Sequence, residues 1–520
     1  MTTPRKSCLL CALGFVLPLS ILLLEVLPWI LRYGTSTDDH CLSALCLVNA
    51  AIWMTVLWWA LHQLVFQLAG LWPVKVKRLP DVPNKPVRFA VLYLTCDDFV
   101  PECCASCLRQ DYPQDAFRVA VCDDSRLQPN RTAVDHFCAE YRLTAIRRRL
   151  DGPSGYKAGN LNHAFAEFAK GQCDWVVVVD ADQILPEVFL STLARFVSKT
   201  APDVAFVQAG RAALSEMPHM HRMRESSVLA TTRFQSALQS EILIFFERDM
   251  FWRQRYGFFP FLGHGGAIRE RAWEQLGGFP LVVSEDFAFA MQAAARGQYG
   301  ERVEQVRSGE AYPKDFPAFL VRITKFASGA AELLCSRFWK FAFDRLTSRA
   351  MVEAYDAGML LATYAFVPLI LFNVLLSAYT CSRLWVQGAE LLAPGLSYLF
   401  LGMFFVSFAV SVSVSPSAAH AARHWFWAFG VYSSAMPLVG YSFVRALFRK
   451  PAFLPTPKFG HDSPAFAWTG AVSYLLVRLR RHWLGPGGHH SARSLRRTQL
   501  RIYCFPFFIG CMRRRRGEAA

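Results

Sequence analysis

The chain has 520 residues, is 53% hydrophobic, and carries a formal net charge of +16 with a mean hydropathy of +0.22. That length holds one large domain plus membrane segments, or two to three soluble domains, and the hydropathy is high for a purely soluble protein. Much of the positive charge flanks the apolar runs and fills the tail "CMRRRRGEAA", a pattern of contact with anionic membrane lipids and not of nucleic-acid binding. The fifteen cysteines include only lone Cys-x-x-Cys pairs, "CLLC" and "CASC", without the second pair of a zinc site, and read as reduced cytosolic thiols.

Two apolar runs open the chain, about Cys8 to Leu31 and Leu42 to Gly70. Each reaches the ~20 helical residues that cross a hydrocarbon core. The first is too long for a signal-peptide core and is followed by no small-residue cleavage site. Arg5 and Lys6 precede it, Asp38 and Asp39 stand against Arg32 between the runs, and Lys75, Lys77, Arg78, Lys85 and Arg88 follow. The positive-inside rule then places the N-terminus and everything after residue 72 in the cytoplasm.

From Val87 to Gly329 the hydropathy falls and strands alternate with helices. "RFAVLYLT" (88–95), "FRVAVCDD" (117–124), "DWVVVVDAD" (174–182) and "DVAFVQAG" (203–210) read as buried strands. "KAGNLNHAFAEFAK" (157–170) and "PEVFLSTLARFVSK" (186–199) read as helices. Continuous apolar strands between helices predict an α/β domain with a mainly parallel sheet covered on both faces. Ligands of such sheets bind at the carboxyl ends of the strands, where two Asp pairs lie. Beyond residue 330, 358–380 and 396–415 read as spans. Pro437, Gly440 and Arg445 make 420–448 read as an interfacial helix. The stretch 466–479 is short for a span, and no fold is read in the basic tail.

Asp180 and Asp182 lie on one side of an extended chain, about 7 Å apart. Such carboxylates can share a hard divalent cation with phosphate oxygens, and Asp182 reads equally well as a cap on the helix that follows. Asp123, Asp124 and Ser125 end a second strand. Lys157 stands just before a helix N-terminus, where a lysine and backbone amides suit a diphosphate. The Gly-rich "FFPFLGHGGAIRERAWEQLGGFP" (258–280) brings backbone close to something, and Ser284, Glu285 and Asp286 begin a helix, where acids also serve as caps.

Taken in order, "CDDS", "YKAGNLN", "DAD", "FLGHGGAIR", "SED" and "FLPTPK" resemble the membrane-embedded family-2 glycosyltransferases of the bacterial cellulose, chitin and hyaluronan synthase type, over residues 88 to 460. The resemblance implies a GT-A fold inserted between transmembrane helices, a nucleotide-sugar donor (UDP-linked), Mg²⁺ or Mn²⁺, and a glycan or lipid-linked acceptor. By that likeness Asp123 and Asp124 read the base, Lys157 and Asp180 contact the donor, Asp180 and Asp182 hold the metal, and Asp286 is the catalytic base. Gly263, His264 and Gly265 line the acceptor end, and Phe453, Thr456 and Lys458 form a gating loop. The family's Gln-Arg-x-Arg-Trp has its nearest counterpart in "VRITKFASG" (321–329), where Arg322, Lys325 and Phe326 stand for Gln, the second Arg and Trp. Lysine does not reproduce the arginine fork, which bears on processivity more than on transfer itself.

The expected layout is two transmembrane helices (1–72), a cytoplasmic GT-A domain (73–330), interfacial and transmembrane helices (331–450), a gating segment (451–462), and a short membrane segment with the basic tail (463–520). The expected activity is inverting transfer to a growing β-linked polysaccharide at a plasma (bacterial inner) membrane, coupled to export with accessory subunits. The alternatives are addition of a single sugar to a lipid carrier, and an inactive membrane interaction protein.

Overall fold

The computed structural model describes residues 9–21, 40–69, 78–148 except 84, 155–214, 249–336, 348–386 and 418–451, with isolated positions between them. Seven strands form one mixed sheet: β1 (Phe89–Thr95), β2 (Phe117–Asp123), β3 (Thr144–Ile146), β4 (Trp175–Asp180), β5 (Val204–Ala213), β6 (Gly266–Arg269) and β7 (Tyr299–Glu310). Their order is β3-β2-β1-β4-β6-β5-β7. All neighbours pair in parallel except β6, which runs antiparallel to both β4 and β5.

The four valines of β4 show why this strand is central. Val176, Val177, Val178 and Val179 are all fully buried, and successive side chains point to opposite faces. Val176 and Val178 enter one core with Ala158 and Leu161 of α5 (Tyr156–Ala164), Trp273 of α8 (Glu270–Leu276) and Phe289 of α9 (Glu285–Ala295). Val177 and Val179 enter the other with α3 (Pro101–Leu108), α4 (Gln128–Tyr141) and α6 (Phe189–Val197). Burying each valine contributes about 1.5–3 kcal/mol, so the run is accounted for without a membrane. The "CASC" cysteines are core residues of α3, and burial pushes the Cys107 thiol up to about 12.

The four expected strands appear within a few residues of their expected ends. β3, β6 and β7 do not stand out in the sequence. β7 reads "YGERVEQVRSGE", and its polarity is tolerated because it is an edge strand. β4 ends at Asp180, so Asp182 lies in the following turn and not on extended chain.

Of the long helices, α1 (Leu9–Ile21) and α2 (His40–Ala69) precede the sheet domain. After it come α10 (Phe316–Leu334), α11 (Ser348–Val386) and α12 (Ala418–Phe448). Among the described residues, α2 and the Arg349–Thr380 part of α11 have the length and composition to cross a membrane. They run antiparallel, joined by Asn49–Thr380 (3.1 Å), Trp53–Ser377 (3.1 Å) and Trp58–Tyr355 (2.8 Å) hydrogen bonds. α12 continues unbroken through Pro437 and packs lengthwise on α10 through Phe319–Tyr432 and Ser328–Ser442. The expected span 396–415 lies outside the described residues apart from two isolated positions. The gating segment, the 466–479 stretch and the basic tail lie wholly outside them.

Candidate active site

A cleft of about 540 Å³ opens at the carboxyl edge of β1, β2 and β4. Its wall includes Asp124, Lys157, Asp180, Asp182, His264, Asp286, Arg322, Lys325 and Phe326, so residues spread over two hundred positions share one space. The sheet accounts for this: parallel strands deliver their C-terminal residues to one side, and the residue after each strand leaves the apolar core there.

Asp180 is the last residue of β4, and Lys157 is the second residue of α5. The Lys157 ammonium sits 2.7 Å from Asp180 Oδ1 and donates to the Gly263 carbonyl at 2.9 Å. Burial pulls its pKa down, but Asp180, Glu285 and Asp286 outweigh that, and the net direction is up, so the lysine is charged. Asp182 accepts the Ala311 backbone N–H at 3.0 Å. The following helix starts only at Phe189, with Val188 at its N-cap position and no side-chain cap, so Asp182 is not the cap of that helix. Asp180 and Asp182 thus offer hard carboxylate oxygens at the cleft. Among the described residues no three His, Cys, Asp or Glu side chains converge to enclose an ion. The donor set fits Mg²⁺ or Mn²⁺ held by one or two carboxylates and completed by phosphate oxygens.

The two aspartates after β2 part company. Asp123 accepts from Arg147 Nε (2.6 Å) and the Ser125 backbone N–H (2.8 Å) and does not line the cleft. Asp124 does line it, gripped by Arg148 through Nε to Oδ1 (3.0 Å) and Nη2 to Oδ2 (2.6 Å). Arg148 also donates to the Tyr156 carbonyl (2.7 Å), tying this carboxylate to the start of α5.

Glu285 and Asp286 open α9, and the Ser284 side chain makes no cap. Burial raises the Asp286 pKa above the usual carboxylate range against the pull of Lys157 and the Phe287 N–H. Burial, and then Asp286, push Glu285 up to about 7. Gly263 faces Asp286, since a Cβ there would lie 2.9 Å from Asp286 Oδ2, and both Gly263 (φ +82) and Gly265 (φ +63) use left-handed backbone that favours glycine. His264 turns the other way. Its Nε2 lies 3.3 Å from Glu310 Oε2 and 3.8 Å from Asp180 Oδ2, which places it on the side of the Asp180 carboxylate and not at Asp286. Arg322, Lys325 and Phe326 reach the cleft from α10, and the guanidinium and ammonium lie 5.5 and 5.9 Å from the Phe326 ring centre.

Sequence reasoning missed several members. Arg211, buried at the end of β5, pairs with Glu310 (3.1 Å) and donates to the Leu262 carbonyl (2.7 Å). Gln208 Nε2 donates to the His264 carbonyl at 2.9 Å. The signal for Arg211 was an arginine at the carboxyl end of an otherwise apolar strand. Glu310 was hidden in a polar strand that gave no pattern.

Residues 175–432 match the family model described as "Glycosyl transferase family group 2". This stretch, just under half of the chain, carries a family-2 glycosyltransferase domain. Among its curated relatives is the probable glucomannan 4-beta-mannosyltransferase 1 of Arabidopsis thaliana, 27% identical over 243 residues, 46% of this chain and 41% of the relative. Another, the probable glucomannan 4-beta-mannosyltransferase 4 of Oryza sativa subsp. japonica, is 24% identical over 323 residues, 60% of this chain and 55% of the relative. The chain spans about half the length of the curated relatives it matches. A solved structure, mannosyltransferase PcManGT from Pyrobaculum calidifontis in complex with GDP-Man and Mn2+, aligns over 78% of this chain and 99% of its own at 18% identity, with a TM-score of 0.48.

Proposed function

We propose that this protein is an inverting β-glycan synthase of GT-A type, transferring a hexose from a nucleotide sugar to a glycan acceptor at the cytoplasmic face of a membrane crossed by α2 and α11. The convergence of Asp124, Lys157, Asp180, Asp182 and Asp286 on one cleft carries the reading. The names of the relatives favour a mannosyl or glucosyl donor. The motif likeness favours a uracil base, and GDP- and UDP-sugars are therefore both tested below.

In this reading Asp124 faces the base and Lys157 meets the diphosphate. Asp180 and Asp182 would hold Mg²⁺ or Mn²⁺, which when bound offsets charge on the leaving diphosphate. Asp286 takes the proton of the acceptor hydroxyl as it attacks the anomeric carbon. With one base and no enzyme nucleophile the configuration inverts, so an α-linked donor gives a β-linked product. Phe326 offers a face to a sugar ring, and the gating segment around Phe453, Thr456 and Lys458 would keep water from the donor.

Single addition to a lipid carrier is the second reading, favoured by Lys325 and Phe326 where processive enzymes carry Arg and Trp. The test is a screen of radiolabelled UDP- and GDP-hexoses on the full chain with Mg²⁺ or Mn²⁺, followed by product sizing and linkage analysis. Long β-linked chains support the proposal and single additions support the second reading. No turnover of any donor, with no nucleotide binding, overturns both.

A further inference from the structure

Resting on the proposed role of Asp286 as the base, and taking Gly263 beside it as part of the acceptor end that the family resemblance implies, we infer that Asp356, outside the cleft, is a positioning residue for transfer. It anchors the chain leading into that turn onto the α2–α11 helix pair. Asp356 lies on α11 and is fully buried. Its Oδ1 takes His62 Nε2 of α2 at 2.8 Å and Arg253 Nη1 of α7 (Met250–Tyr256). Its Oδ2 accepts the Phe258 backbone N–H at 2.7 Å. Arg253 is fully buried too. It donates to Asp249 (2.8 Å) and to Gln63, and its guanidinium lies 4.3 Å over the Phe66 ring. A Cβ on Gly257 would run into the Asp356 carboxylate.

None of Asp356, His62 and Arg253 lines the cleft, so the transfer chemistry leaves this buried charge cluster unexplained. What it holds is the start of a short, stiff connection. From Phe258 the chain passes Phe259, Pro260 and Phe261, all buried, before the half-buried Leu262. It then arrives at Leu262 and Gly263, whose carbonyls are fixed by Arg211 and Lys157. Gly263 abuts Asp286. A paired buried charge resists displacement, because moving one partner strands the other. A shift of α11 against the sheet domain therefore passes through the Phe258–Leu262 segment to the turn beside the base. Misplacement of a reacting group by about 1 Å can cost ~10²-fold in rate.

The test compares the full chain with two variants. Gly257→Ala displaces the segment without changing charge. The double variant Arg253→Gln/Asp356→Asn removes both charges of the pair together. Each is assayed for UDP and GDP binding, for thermal midpoint, and for the split of radiolabelled UDP-glucose and GDP-mannose between transfer and hydrolysis in Mn²⁺. The expected result is nucleotide affinity within about threefold of wild type while transfer falls at least about tenfold and the hydrolysed share rises. Transfer that is unchanged, or that falls only in step with nucleotide affinity and folded fraction, overturns the inference alone. Wild-type chain that binds neither nucleotide overturns the donor reading and this inference with it.

Discussion

Glu285→Gln should stabilise the protein at alkaline pH and do nothing at acid pH. Glu285 is buried, and its pKa stands at about 7 against an ordinary 4.5, raised first by burial and then by Asp286. The folded state therefore holds this proton where the unfolded chain has released it. Below pH 4.5 both states are protonated and the residue costs nothing. As pH rises from 4.5 through 7 the unfolded state is increasingly favoured, and above 7 the cost is constant. The difference of 2.5 units at about 1.36 kcal/mol each gives about 3 kcal/mol. Glutamine keeps the shape and never ionises, so the variant escapes that cost. For a domain of this size the gain corresponds to a rise of roughly 6 °C in the thermal midpoint. The measurement is thermal unfolding of wild type and variant in the same detergent at pH 4.5 and pH 8. A variant that is less stable than wild type at pH 8, or that gains equally at both pH values, would refute the reasoning. The first outcome would mean that the charge attraction to Lys157 exceeds the burial cost.

Asp286→Asn should lower transfer by about 10²–10⁴-fold, the usual contribution of a positioned base, with nucleotide affinity unchanged in a binding titration. Because burial lifts the Asp286 pKa, and the base works only when ionised, the acid limb of kcat should fall above the ordinary carboxylate value of 3.8, with activity rising as pH rises. A limb at or below 3.8 in a pH–rate profile would contradict this. Gly263→Ala places a Cβ 2.9 Å from Asp286 Oδ2 on left-handed backbone, so it should cost about 1–2 kcal/mol in thermal stability and more than about tenfold in kcat. Chelation by EDTA should abolish donor turnover, and added Mg²⁺ or Mn²⁺ should restore it.

What the sequence revealed and what it hid follow from burial. Strands covered on both faces must be apolar throughout, so β1, β2, β4 and β5 stood out. The acids at their ends stood out by contrast, and that contrast located Asp124, Asp180 and Asp182. β6 is four residues long and begins in glycine, and β7 is a polar edge strand, so neither carried the pattern. With them went Glu310. The direction of His264 could not be read from "GHGG", because it depends on Gly263 and Gly265 taking positive φ and sending alternate groups to opposite sides. The Arg147 and Arg148 partners of the Asp pair were likewise hidden, since the parallel pairing of β2 with β3 brings them there from 24 residues away.

The charge of the cleft runs against that of the chain. The protein is strongly cationic overall, yet the cleft is lined by eight carboxylates (Asp97, Asp98, Asp124, Asp180, Asp182, Glu285, Asp286 and Glu310) against five arginines and lysines. Part of that acidity is already neutralised, Asp124 by Arg148 and Glu310 by Arg211. Of the remaining cations, Lys157 sits deepest among the acids, shared between Asp180 and the Gly263 carbonyl, while Arg126, Arg322 and Lys325 also line the cleft. A diphosphate entering such a space meets like charge, because the five cations do not offset both the eight resident acids and the incoming phosphates. Two features relieve this. Glu285 and Asp286 hold their protons to higher pH than ordinary carboxylates, and Asp180 and Asp182 present oxygens suited to a divalent cation that travels with the phosphates. In the proposed reading, acidity at the strand ends would make donor entry depend on a cation. It also leaves the raised Asp286 pKa, and with it the proton transfer, sensitive to whatever charge the donor brings.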